Sequence, residues 1–307
     1  MKDNNVLLDA DLPLPSFIKG KVRDTYDLGE YLLIVASDRI SAFDVILPCG
    51  IPNKGEVLNR LSAFWFELTA DIVPNHFIEV VEDPAQLDNY LPPARRFAYP
   101  NWLTGRSMIV KKVDRFPIEC IVRGYLSGSA WAEYELNGTI SNMAMPSGLE
   151  HSQQLLHTLF TPTTKGEDGG HDELMTREEL TVAVGGDKMV RLLEKTSVDI
   201  FDFGCAYARE RDLIIADTKF EFGLDKGVLT LIDEILTPDS SRFWDTALYK
   251  LGQAQDSYDK QPVRDFLEQQ GWNKMPPPPM LPSEVIAKTQ ERYETAYYRI
   301  TGYKLPA

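Results

Sequence analysis

The run IIADTKFEFG, residues 214–223, decides how the chain is read, because it changes character halfway along. Ile214, Ile215 and Ala216 form the kind of apolar run that suits a buried strand. Asp217, Lys219 and Glu221 then alternate with Thr218, Phe220 and Phe222. Successive side chains of a strand point to opposite faces, so the three charges share one face. A strand rooted in a core but charged along one side is rigid support for polar chemistry. The plain alternative is a solvated face with cross-strand salt bridges.

Working downstream, the Gly-bounded stretch 223–227 followed by VLTLID, residues 228–233, signals a β-hairpin. If Phe222 pairs with Val228 across the five residues 223–227, Asp233 falls opposite Asp217 and joins the charged face. A loop of even length turns Asp233 away, because a one-residue slip reverses every side chain. With the odd loop, three carboxylates and one ammonium line one surface. Such oxygens suit Mg²⁺, with phosphate oxygens and water completing its shell. In that register Glu221 and Asp233 stand apart along the strands, and a bulge or a bridging phosphate is needed for both to serve one ion. The segment LTPDSSRFW, residues 236–244, adds hydroxyls and Arg242 directly after the second strand, which fits anion binding.

Elsewhere the pattern predicts an α+β chain of two lobes. Residues 32–36 read as a core strand, and 107–110 pair with 118–122 around Phe116-Pro117. Residues 56–70 carry apolar side chains at helical spacing. In the second half, Thr176–Glu179 has the form of a capping box. A long helix follows from Asp187 to about Arg211, with Val190, Leu193, Ile200 and Phe201 on its buried side. A spacer of four prolines, 276–279, leads to a C-terminal helix that Ser283 caps and Gly302 ends. The expected division is a strand-rich lobe over residues 1–117 and a mixed lobe over 118–307.

Composition narrows the partners. With 46 acidic and 32 basic residues the net charge is −14, which argues against a broad nucleic-acid surface. Anionic small molecules stay open, provided cations gather locally. No apolar run approaches the ~20 residues of a membrane span, and the first residues lack the pattern of a secretory signal. The three cysteines lie far apart, so reduced cytoplasmic thiols are expected.

Four further segments carry polar chemistry. GKVRDTY, residues 20–26, places Lys21 and Arg23 at alternate positions of a strand, able to hold phosphate oxygens, without P-loop spacing. SDRISAFD, residues 37–44, gathers polar side chains after a core strand. RGYLSGSAW, residues 123–131, combines Arg123 and Ser129 with two glycines that allow close backbone approach. TPTTK, residues 161–165, runs towards GGHDE, 169–173, which holds His171. No Ser/His/Asp triad or cysteine nucleophile can be drawn from this chain.

With NKGEVLNRLSAFWF (53–66), DTKFEFG (217–223) and DEILTPDSSRFW (233–244), these motifs stand in an order and spacing that resembles the SAICAR synthetase family of purine biosynthesis. YDKQPVRDF (258–266) and the proline-linked helix fit its longer form, of roughly 300 residues. The resemblance implies a fold of two lobes around an ATP cleft, related to ATP-grasp and kinase-like folds. It implies ligation of L-aspartate to carboxyaminoimidazole ribonucleotide, with ATP going to ADP and phosphate through an acyl phosphate. It assigns Lys21 and Arg23 to the triphosphate and Lys111 and Lys112, in the segment 111–117, to the hinge that holds adenine. Arg123, Ser129, Arg242 and Arg264, with Lys260, match ribonucleotide positions. Glu221 and Asp233 match Mg²⁺ positions, with Lys219 and Asp217 next to the reacting carboxylates. Asp44, Lys165 and Asp172 fall in motifs associated with the aspartate substrate or its loop. Two other readings compete: a kinase-like phosphotransferase acting on a hydroxyl, and a nucleotide-binding protein without catalysis.

Overall fold

The computed structural model describes residues 6–43, 45–166 and 173–306. The described residues divide into two compact units. The first comprises residues up to Leu68, Asn75–Val113 and the segment from Tyr258 onward, and the second comprises Thr69–Pro74 and Asp114–Ser257. The C-terminal segment therefore belongs with the N-terminal residues, whereas a single boundary near residue 117 had placed it in the second lobe. The cause is apolar burial: Val263, Leu267 and Leu281 share one buried cluster with Ile40, Ala42, Leu47 and Ile51.

In the first unit, β1 (Ser16–Lys19), β2 (Arg23–Asp27) and β3 (Tyr31–Ala36) form a meander. A separate hairpin of β4 (Arg39–Ala42) and β5 (Val45–Gly50) precedes α1 (Lys54–Leu68). Then β6 (Phe77–Val80) and β7 (Ser107–Lys111) complete a five-stranded antiparallel sheet in the order β1-β2-β3-β7-β6. Leu33, Val35 and Ile109 of its central strands are buried with Leu12, Leu14 and Leu87. The C-terminal helix Ser283–Thr301 buries Tyr293, Ala296, Tyr297 and Ile300, one helical face. Pro282, not Ser283, holds its N-cap position, and Gly302 ends it in the left-handed conformation.

The chain leaves the first unit after Val113. In the second unit the elements are β8 (Asp114–Arg115), β9 (Ile118–Tyr125), α2 (Gly128–Asn137), β10 (Thr139–Ile140) and β11 (Met143–Ala144). They continue with β12 (Gln154–Phe160), β13 (Thr163–Thr164), α3 (Arg177–Val184), α4 (Asp187–Arg209), β14 (Leu213–Asp225), β15 (Val228–Ile232) and β16 (Ser241–Asp245). Seven of these strands form one sheet, with β9 and β14 at its centre. The expected pairing of 107–110 with 118–122 is not made: β7 lies between β3 and β6, while β9 pairs with β14. Sequence neighbours here serve different cores.

The predicted capping box is present, with Thr176 accepting from the Glu179 backbone and Glu179 accepting from the Thr176 backbone. The long predicted helix is α4, whose Val190, Leu193, Ile200 and Phe201 are buried. A Cβ added at Gly124 of β9 would lie 3.1 Å from the Phe201 ring, so helix and sheet meet at backbone distance. No described helix is long and apolar enough to cross a membrane.

Phe201 is 2% exposed. Phe201→Ala is therefore expected to cost about 3–5 kcal/mol of unfolding free energy in denaturant titration. Leu156, 91% exposed on β12, serves as the control, and Leu156→Ala should stay within about 0.5 kcal/mol of the parent. Equal losses in the two variants would show that α4 does not carry the core.

Candidate active site

The charged face of β14 forms where β14 meets β9. The two strands pair from Asp217 opposite Arg123 to Phe220 opposite Cys120. Residues directly opposite share a face, so Asp217, Lys219 and Glu221 line up with Arg123, Ile121 and Glu119. This is not a solvated edge: Asp217, Glu221, Glu119 and Arg123 are all buried. Buried charges persist only when paired, and each of these is. Lys219 Nζ donates to Glu119 Oε1 at 2.7 Å. The Lys165 ammonium is hydrogen-bonded to Glu221 Oε1. Asp217 Oδ2 takes a hydrogen bond from Arg242 and lies 3.6 Å from Arg123 Nη1.

The hairpin register differs from the expected one. β14 continues to Asp225, which pairs with Val228, and Glu221 stands opposite Ile232. The connection is the pair Lys226 and Gly227, with φ of 52° and 82°, the positive angles that a tight hairpin turn requires. This even loop should turn Asp233 away from the charged face. Asp233 nevertheless acts electrostatically on Glu221, because it lies beyond the end of β15 with φ of 68°. A left-handed residue breaks the strand's alternation.

Electrostatics follow from this crowding. Burial, then the Asp233 carboxylate, push Glu221 above the usual carboxylate range, and Lys165 and Lys219 pull it back. For Lys219, burial opposes the charged form, but the carboxylates of Glu119, Glu221 and Glu234 together outweigh it and hold the ammonium above lysine's ordinary value. Among the described residues no group of three or more His, Cys, Asp or Glu side chains could hold a metal. Glu221 and Asp233 are two hard oxygen donors whose mutual repulsion a divalent cation relieves. That donor set fits Mg²⁺, which is commonly held by one or two carboxylates plus phosphate oxygens and water.

A second cluster adjoins Asp217. Arg123 Nε donates to Thr161 Oγ1 at 3.0 Å and Nη2 to Ser129 Oγ at 3.3 Å. Gly128 opens α2 with φ of +57°, and a Cβ there would lie 2.2 Å from Arg242 Nη2. Only glycine lets the guanidinium lie against this helix start. The N-cap Ser127 makes no side-chain capping bond, and a helix N-terminus favours negative charge. Burial pulls Arg123 down, with Asp217 opposing and Arg242 adding to the effect, yet a guanidinium stays charged at any ordinary pH. Arg123, Ser129, Arg242 and Asp217 thus form one constellation.

The remaining candidates lie elsewhere. Lys21 sits in the turn before β2 and Arg23 is the first residue of β2, so the two do not alternate along one strand. Lys111 ends β7. Lys112 pairs with Asp27 at 2.7 Å and lies 5.0 Å from the Phe17 ring centroid. Lys260 and Arg264 belong to the first unit, where Arg264 Nη1 lies 2.8 Å from Asp259 Oδ2. Lys165 is engaged with Glu221, while Asp44, Asp172 and His171 lie outside the described residues. Glu119 was missed, although one acid inside the apolar run 118–122, at even spacing from Arg123, marks it. Asp38 and Arg39, in the polar segment that the sequence leaves open between a strand-end site and a capped turn, are both buried.

Comparison with known proteins shows the family. The model of the family described as SAICAR synthetase matches residues 16–279. The phosphoribosylaminoimidazole-succinocarboxamide synthase of Syntrophobacter fumaroxidans is 46% identical over 302 residues, 98% of each chain. That of Syntrophotalea carbinolica is 49% identical over 300 residues, covering 97% of this chain and 99% of its own. In structure, the SAICAR synthase of Saccharomyces cerevisiae complexed with SAICAR superposes with a TM-score of 0.88 at 40% identity, covering 98% of this chain and 100% of its own. Matched along nearly its whole length in both sequence and fold, the chain belongs to the SAICAR synthetase family.

Proposed function

We propose that this chain is an ATP-dependent carbon–nitrogen ligase of purine biosynthesis. It joins L-aspartate to carboxyaminoimidazole ribonucleotide and releases SAICAR, ADP and phosphate. The observation that carries the reading is the buried face of β14 and β9, where Lys219, Arg123 and Arg242 gather in a chain of net charge −14. All three substrates are anionic, so local cations on an acidic protein have a common purpose. The product held by the yeast relative, 40% identical, supports the same substrate class. We place the protein in the cytoplasm, in keeping with its free cysteines Cys49, Cys120 and Cys205.

A carboxylate is a poor electrophile and must be activated before an amine can attack it. In the proposed sequence a carboxylate oxygen of the imidazole attacks the γ-phosphorus, and the bond from that phosphorus to the bridging oxygen of ADP breaks. The amine nitrogen of L-aspartate then attacks the acyl carbon, loses a proton, and expels phosphate as the amide forms. Such transfers depend on positioning and charge neutralisation. Lys219, held by Glu119, neutralises the reacting carboxylate. Asp217 orients Arg123 and Arg242, which with Ser129 are assigned to the ribonucleotide; the family motifs assign Lys260 and Arg264 to the same substrate. Lys21 and Arg23 take the triphosphate, with Lys111 and Lys112 by the adenine. Asp44, Lys165 and Asp172 are assigned to aspartate. Glu221 and Asp233 would hold Mg²⁺, which when bound supplies charge neutralisation to phosphate oxygens.

ADP release should require both L-aspartate and the imidazole ribonucleotide. ADP formed at the same rate without aspartate would point to phosphotransfer onto another acceptor and sink the ligase reading. Glu221→Gln and Asp233→Asn keep side-chain shape but weaken the oxygen donors. Each should lower kcat by about 100-fold or more with the unfolding midpoint retained, and wild-type turnover in both would remove the metal assignment. Gly128→Ala should displace Arg242 and raise the ribonucleotide KM by about tenfold, leaving the ATP KM within about twofold. Unchanged ribonucleotide KM would show that Arg242 does not bind that substrate.

A further inference from the structure

The cations assigned to the nucleotide phosphates sit at the turn between β1 and β2, at one edge of the five-stranded sheet. All four residues of β1 are exposed, while β2 pairs with β3 from Arg23 onward. Gly20 N donates to Arg23 O at 2.8 Å, closing the turn locally. The turn's own carbonyls are held from residues 37–39. Ser37 donates to Val22 O twice, from N at 2.9 Å and from Oγ at 2.8 Å. Arg39 Nε donates to Lys21 O at 2.9 Å and Arg39 Nη2 to Gly20 O at 3.1 Å. Three consecutive carbonyls of the turn are therefore held from one short segment.

Arg39 is 7% exposed, and its other hydrogen bonds are internal too. Nη1 donates to Leu8 O at 2.7 Å and to Asp24 Oδ2 at 3.0 Å, and Nη2 donates to Asp24 Oδ1 at 2.8 Å. A guanidinium has five N–H donors, and all five are used on the chain itself. Arg39 thus has no donor left for a ligand, in contrast to its position in a motif dense with polar groups. The segment is anchored in turn through Asp38. Its Oδ1 accepts from Gly55 N of α1 at 2.9 Å, and its Oδ2 accepts from Leu7 N at 2.8 Å and Arg106 Nη1 at 2.9 Å.

We propose that Arg39 is a positioning residue for the nucleotide phosphates: it fixes the backbone at Gly20 and Lys21 and so sets where the Lys21 ammonium stands. The inference rests on the reading of Lys21 and Arg23 as triphosphate residues. Lysine cannot replace Arg39, because one ammonium with three donors lacks the fork that grips Asp24 and two turn carbonyls together. A small displacement of a positioning group costs binding and rate out of proportion to its size.

The test compares KM for ATP, L-aspartate and the ribonucleotide, per active site, in the full chain and in three variants. Arg39→Lys should raise the ATP KM by about tenfold while the other two KM values stay within about twofold. Gly20→Ala moves the same turn without touching the buried ion pair, since its Cβ would meet Arg23 O at 3.0 Å. It should raise the ATP KM selectively as well, and it decides the matter if Arg39→Lys does not fold. A purely structural Arg39 would lower stability and the active fraction but leave the ATP KM unmoved in both variants, and that result overturns the proposal. Lys21→Ala separates the two levels. An unmoved ATP KM there removes the reading of Lys21 itself, whereas a raised one with Arg39→Lys and Gly20→Ala unmoved removes only the role of Arg39.

Discussion

The pairing of β14 with β9 is the constraint on which the site depends. It sets Asp217 opposite Arg123 and brings Lys219 within 2.7 Å of Glu119. Arg123 and Asp217 are both buried, and removing one partner of a buried ion pair costs about 3–5 kcal/mol. The opposite face of β14 carries Phe220 and Phe222, both fully buried. One strand therefore belongs at once to an apolar core and to a polar site. The core supplies the rigidity that charged groups on a flexible loop would lack.

This double role explains why much of the chain was legible in its sequence. Period-two alternation along 214–223 and helical spacing along α1 and α4 are local patterns, and the structure keeps them. The capping box at Thr176 is equally local. Hairpin register was not legible, because Gly223 looked like the start of a loop. It lies inside β14 opposite Thr230, and the turn falls on Lys226, a residue that seldom takes positive φ. Asp233 was chosen on a parity argument that the register contradicts; its kinked backbone is a tertiary effect. Pairing of β7 with β9 failed for the same kind of reason, as did the single lobe boundary. Apolar faces choose partners in space, and Val263 and Leu267 chose residues more than two hundred positions earlier. The individual roles within the site came from family motifs, since spacing alone does not distinguish a phosphate-binding arginine from a buried scaffold one.

The structure draws that distinction by accounting for charge and donors. Arg39 meets a carboxylate of its own, Asp24, and places all five donors on its own chain. Its charge is balanced and its hydrogen bonding complete, so it can only be scaffold. Arg123 and Arg242 instead lie on the same oxygen of one carboxylate, Asp217. Two guanidiniums thus meet at one buried carboxylate, a setting in which charge is far more effective than in water. The bare glycine at 128 is what lets Arg242 lie against the start of α2. Glu221 and Asp233 present the converse case, with two carboxylates close enough to repel. Lys165 and Lys219 oppose that repulsion. Both clusters lie along one strand, β14, so a single rigid support sets the guanidiniums at Asp217 and the ammonium at Glu221.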